Sequence, residues 1–276
     1  MALHKKGFAL LLSFFISALI ISAQTANDKE LKFESGFLTS FDGTKIYYEV
    51  SGKGEAVILV HGFIVNGQSW KHTALYNDLA SAGYKVVLLD QRGNGRSDKP
   101  QDSTAYENDA EAKDIMALTK KLGIHKYIAV GYSRGSIIVS RLLVLDKNIQ
   151  KGVIGGMGSD FTNPEWPRRI MFYHALRGDS VPELKAMVEN VQKKGLDQKA
   201  LAYLQRSQPS TSKEELSKIK RQVLVICGDH DIDNGSAKDL SSLIPGAIFT
   251  TTPGVHNDAN QSKEFSAAVI SFLQKK

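Results

Sequence analysis

The sequence predicts an α/β protein with a mostly parallel central sheet and helices on both of its faces. Short, wholly apolar runs, typical of strands buried on both sides, alternate with stretches of helical spacing. The alternation recurs along most of the 276 residues, as linked βα units require. A glycine-flanked serine at one strand-to-helix junction then marks where chemistry is expected.

The chain opens on a segment outside that pattern. Lys5 and Lys6 precede an apolar stretch from Phe8 to Ile21, which ends in Ser22-Ala23 before Gln24. This is the layout of a secretory signal peptide, and the stretch is shorter than the roughly 20 residues a bilayer span needs. Cleavage is expected after Ala23, leaving residues 24–276 as an exported domain, periplasmic or secreted, with no stable membrane insertion. No cysteine stands near the cleavage point to carry a lipid. The leader holds two lysines and no acids, so the formal charge of +6 falls to +4 in the mature chain. The remaining lysines are scattered without interleaved aromatics, which argues against nucleic acid as a partner. Cys227 is the single cysteine, so an intramolecular disulfide is excluded, and its place after Val223–Ile226 reads as packing.

In chain order, Leu31 to Thr39 and Lys45 to Val50 read as strands around an Asp42-Gly43 turn. Ala56 to Val60 is a buried strand, followed by a helix over Ser69 to Ala82 that stops at Gly83. The unit repeats as strand Lys85 to Leu89 with helix Glu107 to Leu122, then strand Tyr127 to Val130 with helix Arg134 to Leu145. Lys151 to Gly155, Val223 to Ile226 and Ala247 to Thr251 are further strands; Ser236 to Leu243 and Lys263 to Leu273 are helices. Between them, about 160–220 carries helical stretches, Pro182 to Lys194 and Leu196 to Arg206, and no convincing strand, as an inserted helical cap would.

Gly131-Tyr132-Ser133-Arg134-Gly135 matches G-x-S-x-G directly between a strand and a helix. A nucleophile there needs a sharp, strained turn, with residues lacking Cβ where strand and helix approach. An ordinary glycine-flanked turn would instead leave Ser133 as a helix N-cap. A hydroxyl also needs a base, and His256, in a loop after the last strand, has the right place in the chain. Gly228-Asp229-His230-Asp231 supplies two acids to orient it; Asp231 is favoured because its loop must reach past the strand end, with Asp229 holding the turn. For an oxyanion, the amide of Arg134 opens a helix, and the amide of Phe63 follows His61-Gly62 at a strand end.

Together the Asp42-Gly43 turn, His61-Gly62 then Trp70, Asp90 to Ser97, the serine elbow, Gly228-x-x-Asp231 and His256 resemble the α/β-hydrolase superfamily, particularly its small ester hydrolases. The resemblance covers nearly all of the mature chain. It implies a Ser133–Asp231–His256 triad, oxyanion donors at Phe63 and Arg134, a helical cap, a small-molecule substrate, and no cofactor or metal. Arg134 departs from the small or apolar residue many relatives carry after the nucleophile. With Arg168 and Arg169 it offers an anionic substrate group possible partners, and Phe161, Trp166, Phe172 and Tyr173 are candidate pocket aromatics.

Other chemistries fit less well. Gly62 to Ser69 nearly spells a phosphate-binding loop but has Gln68 where lysine must stand. Asp229 to Leu240 lacks the closing carboxylate of a calcium loop, and no H-E-x-x-H or cysteine pair offers zinc ligands. Dehalogenases and epoxide hydrolases of the superfamily need an aspartate where this chain has Ser133. The expected function is hydrolysis of a carboxylic ester or related acyl bond through an acyl-enzyme. Carbon–carbon bond hydrolase, aminopeptidase, cofactor-free haloperoxidase and non-catalytic receptor remain as alternatives.

Overall fold

A computed structural model describes residues 34–275; the expected leader, its cleavage point and the first residues of the strand predicted from Leu31 lie outside them. Strands β1 (Glu34–Thr39), β2 (Lys45–Ser51), β3 (Ala56–Val60), β4 (Lys85–Leu89), β5 (Tyr127–Tyr132), β6 (Ile149–Gly155), β7 (Gln222–Gly228) and β8 (Ile248–Thr252) form one sheet in the order β1-β2-β4-β3-β5-β6-β7-β8. Pairing is antiparallel where β2 meets β1 and β4 and parallel from β4 to β8. The chain steps from β3 to β4 on one side and returns to β5 on the other. That reversal leaves a crevice beyond the carboxyl ends of β3 and β5, the place where open α/β sheets hold ligands.

Helices cover both faces because successive strand residues point to opposite sides. Val57 and Leu59 pack with α1 (Ala74–Ser81) and α9 (Lys263–Gln274), whereas Ile58 and Val60 pack with α2 (Ala110–Lys121), α3 (Arg134–Leu145) and α8 (Ala237–Ser242). All five residues of β3 are buried, which explains its unbroken apolar run.

Residues 160–220 contain α4 (Pro167–Arg177), α5 (Lys185–Lys193), α6 (Gln198–Arg206) and α7 (Lys213–Ser217), with no strand among the described residues. Leu176, Val191, Leu201 and Leu204 form a small core of their own, against which Phe63 and Ile64 pack from the end of β3. Helix α4 has no counterpart in the sequence reading, since its polar composition masks a helix started by Pro167 and stopped by left-handed Gly178.

Several predicted helices are shorter than expected; those over Pro182 to Lys194 and Leu196 to Arg206 start at Lys185 and Gln198. The one over Ser69 to Ala82 is split at Thr73, which is extended and caps α1 with its hydroxyl on the Tyr76 N–H. The one over Glu107 to Leu122 starts at Ala110, because Asn108 and Asp109 take left-handed backbone angles.

Candidate active site

Ser133 joins β5 to α3 with φ 52° and ψ −126°. A non-glycine residue held there stores on the order of 1–3 kcal/mol of strain, which the surroundings must fix. The Ser133 N–H donates to Gly155 O at 2.8 Å, and Ser133 O accepts from Ser136 N–H at 2.9 Å. The flanking glycines are steric necessities. A Cβ on Gly131 would lie 2.5 Å from the Gly135 carbonyl carbon, and one on Gly135 would lie 2.1 Å from Val60 O.

The β7 and β8 ends bring the other two groups to this turn. His256 Nε2 lies 2.9 Å from Ser133 Oγ, and its Nδ1 lies 2.9 Å from Asp231 Oδ2. The Asp231 side chain is 4% exposed and His256 is mostly buried, so water competes little for the pair. With the proton on Nδ1 facing the carboxylate, the Nε2 lone pair faces the serine hydroxyl. Asp229 points elsewhere: it accepts from the Gly254 N–H at 3.0 Å and holds the loop that carries His256.

Sequence reading missed two supports. Tyr132 donates its hydroxyl to the His256 carbonyl at 2.8 Å and packs its ring 5.6 Å from the imidazole. Asn234, buried, donates to Gly156 O and stands 3.3 Å from His256 Nδ1. Position beside the nucleophile was the available signal for Tyr132; Asn234 has none in the sequence. Asp231, Asp233 and His256 also bring ligand atoms within 4.8 Å of one another, but two of the three are already engaged with each other.

Phe63 and Arg134 line the same cavity as Ser133. Among the described residues no carbonyl accepts from either main-chain N–H. Gly62 lets that backbone come close, since a Cβ there would sit 3.3 Å from Ser133 Cβ. His61 fixes the segment from below. Its Nε2 accepts from the Gln91 N–H at 3.0 Å, its Nδ1 meets Gly62 O at 2.8 Å, and the Gln91 amide donates to His61 O. Burial pushes the His61 pKa below the ordinary histidine range, so the ring is neutral.

The cavity of about 640 Å³ is walled by the β3 and β5 loops, the His256 loop and the cap. Two of the four expected aromatics, Trp166 and Phe172, line it; Phe161 is buried in the main core and Tyr173 packs in the cap. The expectation that Arg134 presents a free cation to substrate is corrected. Its side chain is buried and forms a two-pronged pair with Glu111 at 2.5 and 2.6 Å, and it donates to the cap carbonyl of Leu204 at 3.1 Å. Helix α2 supplies the counter-charge, which nothing in the local sequence announced. Cys227 is buried in β7, and burial with the nearby carboxylates pushes its thiol up to about 11, so it packs rather than reacts.

An eight-stranded, mostly parallel sheet with a serine elbow beyond β5 and helices on both faces is the α/β-hydrolase fold. Residues 55–186 match the family model described as alpha/beta hydrolase fold, and the chain is an α/β-hydrolase-fold protein. It is 37% identical over 108 residues to a non-heme chloroperoxidase of Streptomyces lividans, a match covering 38% of each chain. It is 37% identical over 97 residues to epoxide hydrolase 3 of Siraitia grosvenorii, covering 35% of this chain and 30% of that one. The chain thus spans well under half the length of these curated relatives. An esterase from Exiguobacterium antarcticum shares the fold with a TM-score of 0.74 at 21% identity, over 88% of this chain and all of that one.

Proposed function

We propose that this chain is a serine hydrolase that cleaves a carboxylic ester or related acyl bond of a small molecule. The observation that carries the reading is the hydrogen-bonded line Asp231–His256–Ser133 opening on a cavity with two unengaged main-chain N–H groups beside it. In this reading Ser133 Oγ attacks the acyl carbon as its proton passes to His256 Nε2. Asp231 holds the imidazole in place and stabilises its charged form, and the amides of Phe63 and Arg134 receive the developing oxyanion. Collapse breaks the bond to the alcohol, which takes the proton from His256. Water then attacks the acyl-Ser133 ester by the same path, releasing the acid and restoring the serine.

The test is rapid mixing with excess 4-nitrophenyl acetate. A burst of about one nitrophenolate per chain, with acetyl trapped on the Ser133 peptide, is expected of an acyl-enzyme. Ser133→Ala that keeps the burst would refute the assignment.

The likeness to a non-heme chloroperoxidase favours a second reading on the same serine. Hydrogen peroxide replacing water at the acyl-enzyme gives a peracid and free Ser133, and the peracid oxidises halide to hypohalous acid while returning the carboxylic acid. Halogenation of a β-diketone that requires a carboxylic acid, peroxide and Ser133 together would support it. Epoxide opening is disfavoured, because Ser133 offers no carboxylate nucleophile.

A further inference from the structure

On the wall of the cavity over Ser133, one of three arginines has no carboxylate paired with it among the described residues. Of the arginines on its wall, Arg134 is neutralised by Glu111, and Arg168 lies 3.6 Å from Asp233, which shares the lining. Arg169 has no carboxylate partner among the described residues. Its Nη1 donates to the carbonyls of Gln205 at 3.1 Å and Arg206 at 2.9 Å, and its Nη2 donates to Pro164 O at 2.5 Å. Three of its five N–H groups therefore meet carbonyls, two of them at the C-terminus of α6, which orient the guanidinium and offset its charge only in part. Its Nε is buried with no partner, and burial holds its pKa below the usual arginine value against the opposing pull of Glu165. Arg169 also stands in the first turn of α4, where the helix dipole disfavours a cation. That cost is offset across the cap, where Arg169 holds the last carbonyls of α6, Gln205 O and Arg206 O, which leaves part of its charge facing the cavity.

Gln205 lies beside it. The residue is 5% exposed and lines the same cavity, and its backbone carbonyl, not its side-chain amide, is what Arg169 holds. A purely apolar acyl chain would cover the amide of Gln205 without pairing it and leave the charge of Arg169 facing a dry wall. A carboxylate meets both, because one oxygen can accept from the remaining Nη2 N–H of Arg169 and the other from the amide NH₂ of Gln205.

We infer that Arg169 and Gln205 form a carboxylate subsite on the cap wall, and that the substrate cleaved at Ser133 is a short ester or lactone bearing a second, ionised carboxylate. The inference rests on the ester-hydrolase reading above for the bond broken, but not for the anion bound.

The experiment compares mono-4-nitrophenyl glutarate, with a free carboxylate, and its neutral counterpart 4-nitrophenyl pentanoate. Wild type is expected to favour the anionic ester in kcat/KM by about tenfold or more, the usual worth of a charge-assisted hydrogen bond. Arg169→Gln and Gln205→Glu should each lower that ratio about tenfold, with Arg169→Lys retaining part of it. A purely structural role would slow both esters together and leave the ratio fixed. In parallel, calorimetry measures binding of the same two esters to Ser133→Ala, where no turnover is needed. Arg169-dependent preference for the anionic ester there, with no turnover of either ester by wild type, would uphold the subsite and sink the ester reading. Turnover that is blind to the carboxylate in wild type, or a ratio unmoved by both Arg169→Gln and Gln205→Glu, would overturn the subsite and leave the ester reading intact.

Discussion

At the residue scale, the two acids after β7 have separate tasks that geometry distinguishes. Asp231 faces His256 Nδ1, whereas Asp229 holds Gly254. Asp231→Asn should lower kcat by about 10⁴-fold through the wrong imidazole tautomer. Asp229→Ala should instead lower stability by about 1 kcal/mol, the worth of one hydrogen bond, as read from a urea midpoint. The chain order of Ser133, Asp231 and His256 was legible because each follows a strand end, where side chains converge beyond the sheet. Glu111 was not legible, because its partner lies 23 positions away and only the packing of α2 on α3 joins them. Glu111→Gln would strand the Arg134 charge in the interior and should cost about 3–5 kcal/mol in chemical denaturation. His61 gives a pH signature. Its folded pKa lies below its unfolded value of about 6.5, so the unfolded chain binds more protons as pH falls. Stability should therefore drop on going from pH 7 towards 5, and His61→Gln should flatten that part of the profile in thermal melts.

At the scale of elements, the elbow is a contact between backbones. Since a Cβ at Gly135 meets Val60 O, strand β3 and helix α3 come within touching distance only through glycine. Gly135→Ala should push α3 off the sheet at a cost of about 1–3 kcal/mol or more and displace Ser133, lowering both the urea midpoint and turnover. Strands and the helices that back them were readable because apolar periodicity reports burial directly: β3, β4 and α3 begin and end where the pattern does. The cap was harder. Helix α4 carries Arg168, Arg169 and His174 on a mixed surface, with only Ala175 and Leu176 buried, so its periodicity is faint. Its first-turn arginines belong to the cavity wall, a tertiary fact that no local pattern contains. The break at Thr73 is a local cap, its hydroxyl bonded to Trp70 O and the Tyr76 N–H, whereas Asp109 beside the second break serves the distant Arg141.

At the scale of the whole molecule, sheet, cap and loops bring Ser133 to one cavity, and cleavage of the expected leader would place that cavity outside the cytoplasm. Mass spectrometry of the exported protein is expected to find Gln24 as its first residue. Activation of Ser133 as a nucleophile is measured most directly by labelling of the purified protein with a fluorophosphonate, mapped by peptide mass spectrometry. One label per chain is expected on Ser133, absent from Ser133→Ala and strongly slowed in His256→Ala. A folded protein that takes no label, or takes it at another residue, would contradict that activation.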